Sequence, residues 1–104
     1  NPWTRGHCLV VPKKHFQDIF DVDEEILKAL ILVIKKISLL AKEKFGALGV
    51  NVIQNNGKIA GQIVPHIHFQ IIPRYENDGL EMSHTSDYEG DDLDNDGDWL
   101  CSFE

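Results

Sequence analysis

The stretch Gly61-Gln62-Ile63-Val64-Pro65-His66-Ile67-His68-Phe69-Gln70-Ile71-Ile72-Pro73-Arg74 decides the reading of this chain. His66, His68 and Gln70 alternate with apolar Ile67, Phe69 and Ile71. Successive side chains of a strand point to opposite faces, so the alternation predicts a strand over residues 65–72. The two imidazoles and the amide then share one face, about 6.5–7 Å apart, which is two strand rises. The apolar residues bury the other face. A row of imidazoles on a rigid strand, entered from a glycine-containing loop, suits nucleophilic work on a phosphate. Two other readings stay open from residue types alone. The histidines could be polar strand residues facing water, or His66, His68 and His7 could form a metal site, since His-x-His presents two ligands to one ion.

Working outward, Gly6-His7-Cys8-Leu9-Val10-Val11 reads as another strand, ended by Pro12. Lys13-Lys14-His15 is a polar turn, and residues 16–20 are expected to form a short helical turn. Asp21-Val22-Asp23-Glu24 looks like a helix start, with Asp21 as the cap and Glu24 three residues on. The helix is expected to run to about Phe45. Ile26, Leu27, Leu30, Val33, Ile34, Ile37, Leu40 and Ala41 form its apolar stripe, and Gly46 stops it. Ile31, Leu32 and Leu39 widen that stripe, as burial against a second subunit would require. Residues 48–54 form a further strand. Asn55-Asn56-Gly57-Lys58-Ile59-Ala60-Gly61 is a turn-rich loop whose backbone can approach a ligand.

The 104 residues suffice for one domain, with 42% hydrophobic content for one core. No apolar run reaches the length of a membrane span. The net charge of −7 is split unevenly. From Glu76 onward there are eleven acidic residues and no Lys or Arg; before it there are ten basic and six acidic residues. A basic body favours an anionic small substrate. It is too sparse in Arg and Lys, and too little interleaved with aromatics, for a nucleic-acid platform. Cys8 and Cys101 are far apart and not in a CxxC pair, so a reducing, cytoplasmic and also nuclear setting is the expectation. The division is a domain over residues 1–75 and an acidic, partly mobile tail over 76–104. The chain opens on Asn1-Pro2, and an upstream strand is expected to be missing. Asp92-Leu93-Asp94-Asn95-Asp96-Gly97 begins like a calcium loop, but Phe103 stands where such a loop needs its Glu. A solvated acidic tail is the better reading.

The run from Asn55 to Arg74 resembles the active-site segment of the histidine-triad (HIT) nucleotide hydrolases and transferases. Gly6-His7 and Leu9-Val10-Val11-Pro12-Lys13-Lys14-His15 resemble the strand that precedes it in that family, most of all in the small Hint-type members. The resemblance covers roughly residues 1–75. It implies an α+β fold with an antiparallel sheet and one long helix, paired as a homodimer. It implies a purine nucleotide substrate, attack on the α-phosphate and a nucleotidyl-histidine intermediate, with no cofactor and no metal. By resemblance His68 is the nucleophile, His66 its support, Gln70 the third triad position and His7 a supporting histidine. Asn55, Gly61, Gln62 and Ile63 match positions near the phosphates, where the amides of residues 61–63 could cradle an anion. His15 also matches a family position but is expected on a surface turn.

Two departures stand out. The family has a third histidine where this chain has Gln70, and an amide cannot give a proton to a leaving group. An amine leaving group needs that proton; a phosphate-type anion needs it less. The same His-x-His-x-Gln pattern occurs in galactose-1-phosphate uridylyltransferase and the diadenosine polyphosphate phosphorylases. Ile63 replaces a common Ser or Thr, removing a hydroxyl. A nucleotide-binding module with attenuated catalysis is therefore the alternative function.

Overall fold

The computed structural model describes residues 5–79 and, for the backbone alone, 91–94 and 99–103. Strand β1 (Cys8–Pro12) leads to helix α1 (Glu24–Phe45), then strand β2 (Gly49–Ile53), a short 3-10 turn (Lys58–Ala60) and strand β3 (Phe69–Arg74). Strands β4 (Asp91–Asp94) and β5 (Trp99–Phe103) complete a five-stranded sheet in the order β2-β3-β1-β5-β4, antiparallel throughout. This is the α+β arrangement expected from the sequence.

The helix begins two residues later than its acidic start suggested. Asp23, not Asp21, is the cap, and its carboxylate accepts from the Ile26 N–H at 3.3 Å. Asp21 instead accepts from the Gln17 N–H at 3.0 Å. It closes the turn before the helix, which lies at residues 18–22 rather than 16–20. Glu24 and Glu25 sit at the positive end of the helix dipole and Lys42 and Lys44 at the negative end. Gly46 ends the helix at φ 71°, a left-handed conformation that glycine adopts without a Cβ penalty. Leu30, Val33, Ile34 and Ala41 are buried. Leu40, placed on the buried stripe by periodicity, is 47% exposed, alongside Ile31, Leu32 and Leu39.

One face of the sheet carries the core. Cys8, Val10, Ile67, Phe69 and Ile71 pack under Leu30, Val33 and Ile34 of the helix. Ile67, Ile71, Leu30 and Val10 are fully buried, each contributing roughly 1.5–3 kcal/mol of burial.

The third strand begins at Phe69, not at Pro65. The reason is Pro12. The β1–β3 register ends at Val10 opposite Phe69. Continued two positions, it would set Pro12 against Ile67, and proline has no N–H to exchange. The Ile67 N–H bonds instead to the Phe16 carbonyl at 2.8 Å. The histidine segment is thereby held by the loop before the helix, outside the ladder. The alternation of burial survives: Ile67 and Phe69 are buried while His66 and His68 are half-buried.

The tail is not uniformly without structure. Trp99–Phe103 pairs with β1 along its whole length, from Cys8 opposite Phe103 to Pro12 opposite Trp99. Most of the acidic stretch 87–98 and half of the calcium-like run lie outside the described residues.

Candidate active site

His68 points its Nδ1 at the main-chain carbonyl of His66, 3.0 Å away. A carbonyl only accepts, so the proton sits on Nδ1 and donates. The neutral ring then carries its lone pair on Nε2. Its neighbours Ile67 and Phe69 are anchored in the core, which fixes the backbone from which the ring projects.

His66 was expected to support His68 with its side chain. The structure assigns that support to its carbonyl, because the ring is turned elsewhere. His66 Nε2 donates to the Pro12 carbonyl at 3.2 Å. Its Nδ1 must then accept, and it lies 2.8 Å from Nδ1 of His15, whose ring centroid is 4.9 Å away. Burial holds His66 below the ordinary imidazole value, opposed by the Pro12 bond and assisted by the nearby His15 and His68. His15 is exposed, yet it reaches the site. Its position on a polar turn gave no signal of that contact.

Gln70 lies on β3 opposite Leu9 and is only 8% exposed. His7, two residues before Leu9 on the same face, is 1% exposed. Burial lowers the His7 pKa, against the opposing effect of its hydrogen bond with the Gln70 side chain. Gln70 thus lies beside a buried histidine whose protonation is disfavoured.

The loop residues divide by role. Gln62 is buried and its side chain is a clamp. Its amide donates to the carbonyls of Gln17 at 2.6 Å and Val64 at 3.1 Å, and its oxygen accepts from the Gly57 N–H at 2.7 Å. The expected cradle of three amides is not formed, since the Gly61 and Gln62 N–H groups bond to the carbonyls of Lys58 and Gly57. Gly61 has φ 92°, and the Asn55 amide nitrogen lies 3.5 Å from where a Cβ would stand. Strand β2 ends at Ile53, opposite Gln70, so Asn55 leaves the sheet at the end where the histidines lie. Ile63 is 65% exposed and, with Gln17, Gly57, Lys58, Gly61, Gln62 and Pro65, lines an open cleft of about 410 Å³. Asn56 ties this loop to the one before the helix, accepting from the Ile19 N–H at 2.7 Å.

Arg74 does not face an anion site. It donates to Asp78 through Nε and Nη2, at 2.8 and 3.0 Å, and to Asn51 through Nη1 at 2.8 Å. Among the described residues no group of three or more His, Cys, Asp or Glu could hold a metal ion. The alternative of a metal held by His66, His68 and His7 is therefore not assembled; the convergent pair His15 and His66 offers two nitrogens.

The HIT domain family matches residues 1–77. The chain belongs to the HIT family. This HIT domain is 48% identical over 79 residues to an uncharacterized HIT-like protein of Methanocaldococcus jannaschii, covering 76% of this chain and 60% of that protein. It is 38% identical over 73 residues to the adenosine 5'-monophosphoramidase of Schizosaccharomyces pombe, covering 70% of this chain and 52% of that one. Among solved structures it is similar to a HIT family protein from Bacillus anthracis, with a TM-score of 0.71 and 46% identity over 81% of this chain and 60% of the other. The HIT domain here thus spans a little over half the length of the relatives it matches. No helix among its described residues is long and apolar enough to cross a membrane.

Proposed function

We propose that this HIT domain hydrolyses or transfers the nucleoside monophosphate part of purine nucleotides, through a nucleotidyl intermediate on His68. The observation that carries the reading is the Nδ1 contact of His68 with the His66 carbonyl. In the neutral ring it leaves the lone pair on Nε2, the nitrogen that can attack phosphorus. The phosphoramidase relative supports adenosine as the nucleoside. Nε2 attacks the α-phosphorus, the leaving group departs, and water or another acceptor then displaces His68. Gln70 replaces the proton donor of this reaction with an amide, which favours substrates whose leaving group departs as an anion.

The alternative, a nucleotide-binding module with attenuated turnover, rests on the same Gln70. Rapid quenching with adenosine phosphoramidate and with diadenosine polyphosphate decides between them. The enzyme reading expects an adduct of adenylate mass on His68 and release of AMP. Binding without adduct or product, at the level of a His68→Ala control, supports the module. The domain is further proposed to pair as a homodimer, supported by the exposed apolar residues Ile31, Leu32, Leu39 and Leu40 along α1.

A further inference from the structure

We infer that the C-terminal strand β5 is a positioning element of the candidate active site: it fixes the end of β1 whose Pro12 carbonyl holds the His66 ring. The inference rests on the proposed nucleotidyl transfer at His68 for its kinetic readout alone.

The histidine segment is held from one stretch of chain. His66 Nε2 donates to the Pro12 carbonyl at 3.2 Å, and His66 Nδ1 meets His15 Nδ1 at 2.8 Å. The Ile67 N–H donates to the Phe16 carbonyl at 2.8 Å, and the Gln62 amide to the Gln17 carbonyl at 2.6 Å. These partners all lie within residues 12–17, which leave the sheet at Pro12. Where Pro12 stands therefore decides where those supports begin.

Strand β3 does not hold Pro12. It partners Cys8, Leu9 and Val10 of β1 and goes no further. Val11 and Pro12 are partnered by β5, at Leu100 and Trp99. Among the described residues no other strand pairs with these two positions. The run Trp99-Leu100-Cys101-Ser102-Phe103 carries no charge and no proline, in a tail with eleven acidic residues after Tyr75. Such a run suits a strand, and the carboxylates around it do not.

The backbone transmits the hold. The polar groups of successive residues in a strand face alternate neighbours. The Pro12 carbonyl faces His66, on the β3 side. The Val11 N–H and C=O then face β5, where Leu100 is the partner. The Val11 carbonyl and the Pro12 nitrogen share one planar peptide unit. The Leu100 N–H that meets this carbonyl fixes the plane, and the pyrrolidine ring fixes the Pro12 φ at about −65°. Only ψ of Pro12 is left to move its carbonyl. His66 in turn offers its own carbonyl to His68 Nδ1 at 3.0 Å. The connection runs from Leu100 through Val11 and Pro12 to His66, and so to His68.

Phe16 is a separate anchor. It is 7% exposed and belongs to the core under α1. Loss of β5 therefore frees the His66 ring and leaves the Ile67 bond to Phe16 in place. That selectivity separates positioning from a general contribution to stability.

The test removes the hold and reads His66 directly. The full chain, a chain ending at Gly90 and the full chain with Leu100→Pro are compared by the nitrogen NMR signals of their histidine rings, which report the tautomer. The full chain is expected to carry the His66 proton on Nε2. Both altered chains are expected to show His66 in mixed tautomers, with the Ile67 amide still protected from hydrogen exchange. Single-turnover AMP release is expected to fall with the tautomer, roughly 10–10²-fold, the scale of a misplacement of about 1 Å. In a His66→Ala background the shortening is expected to cost less than about two-fold, because its effect passes through the ring. Where the shortened chain loses Ile67 protection, Leu100→Pro decides. A His66 tautomer unchanged by Leu100→Pro overturns the inference. Ile67 protection lost together with the tautomer in both altered chains also overturns it, and makes β5 a general support of the fold. So does a shortening that costs His66→Ala as much as it costs the full chain. Absence of AMP release from the full chain rejects nucleotidyl transfer and leaves the tautomer comparison to decide this inference.

Discussion

The imidazole of His68 is held by the backbone of His66, through a 3.0 Å bond from Nδ1–H to the carbonyl oxygen. The bond selects the tautomer, so the nitrogen left with the lone pair, Nε2, is set by main chain rather than by a neighbouring side chain. A His68→Ala variant is expected to lose adduct formation and at least about 10³-fold in turnover, read by single-turnover AMP release. His66→Ala keeps the carbonyl and is expected to lose less than His68→Ala in the same assay.

Gln70 marks where this site departs from its family. Gln70→His restores a group able to give a proton beside the buried His7. Phosphoramidase activity is expected to rise by roughly 10²-fold or more, the contribution of a positioned acid. Turnover of an anhydride substrate is expected to change far less. Parallel kcat/KM measurements on the two substrates check this.

Gln62 ties Gly57, Gln17 and Val64 together with one side chain. Gln62→Ala leaves partly buried donors and acceptors unpaired, at a cost of about 1–3 kcal/mol. Chemical denaturation is expected to show that loss. KM is expected to rise with it, because the loop that presents Ile63 loses its clamp.

His7 gives the fold a pH dependence. Burial holds its pKa below the ordinary value, so the folded state resists its protonation. The unfolded chain takes up that proton near pH 6.5. As pH falls through that value the unfolded state binds more protons, and stability declines until the lowered folded value is passed. The slope is at most about 1.4 kcal/mol per pH unit for one such group, and His66 acts in the same direction. Denaturant midpoints are expected to fall from pH 7 to pH 5, and His7→Gln is expected to reduce that slope.

Ile67 joins the site to the core. It is fully buried between the two histidines, and its N–H bonds to the Phe16 carbonyl. Ile67→Ala is expected to destabilise by about 2–5 kcal/mol, the range for a large-to-small core change. Equilibrium unfolding measures it.

The alternation around His66 and His68 was legible because burial imposes a period of two on any extended segment packed on a core. Gly46 marked the helix end because the left-handed turn there favours glycine. Other features were hidden. Asp21 and Asp23 are equally good caps by type, and only the Gln17 N–H, arriving from the preceding turn, assigns Asp21 elsewhere. The role of Gln62 depends on Gln17, 45 residues away in sequence.

The sequence by itself determined the α+β pattern, the one-face placement of the histidines and the inability of Gln70 to supply a proton. These follow from side-chain chemistry and local periodicity. The tertiary structure decided which atom of each residue is hydrogen-bonded and which is left open. Pro12 breaks the β1–β3 ladder, the Ile67 N–H turns to Phe16, and the freed carbonyl of His66 takes the His68 ring. Hydrogen-bond partners between distant segments are set by where the chain packs, and no local pattern encodes them.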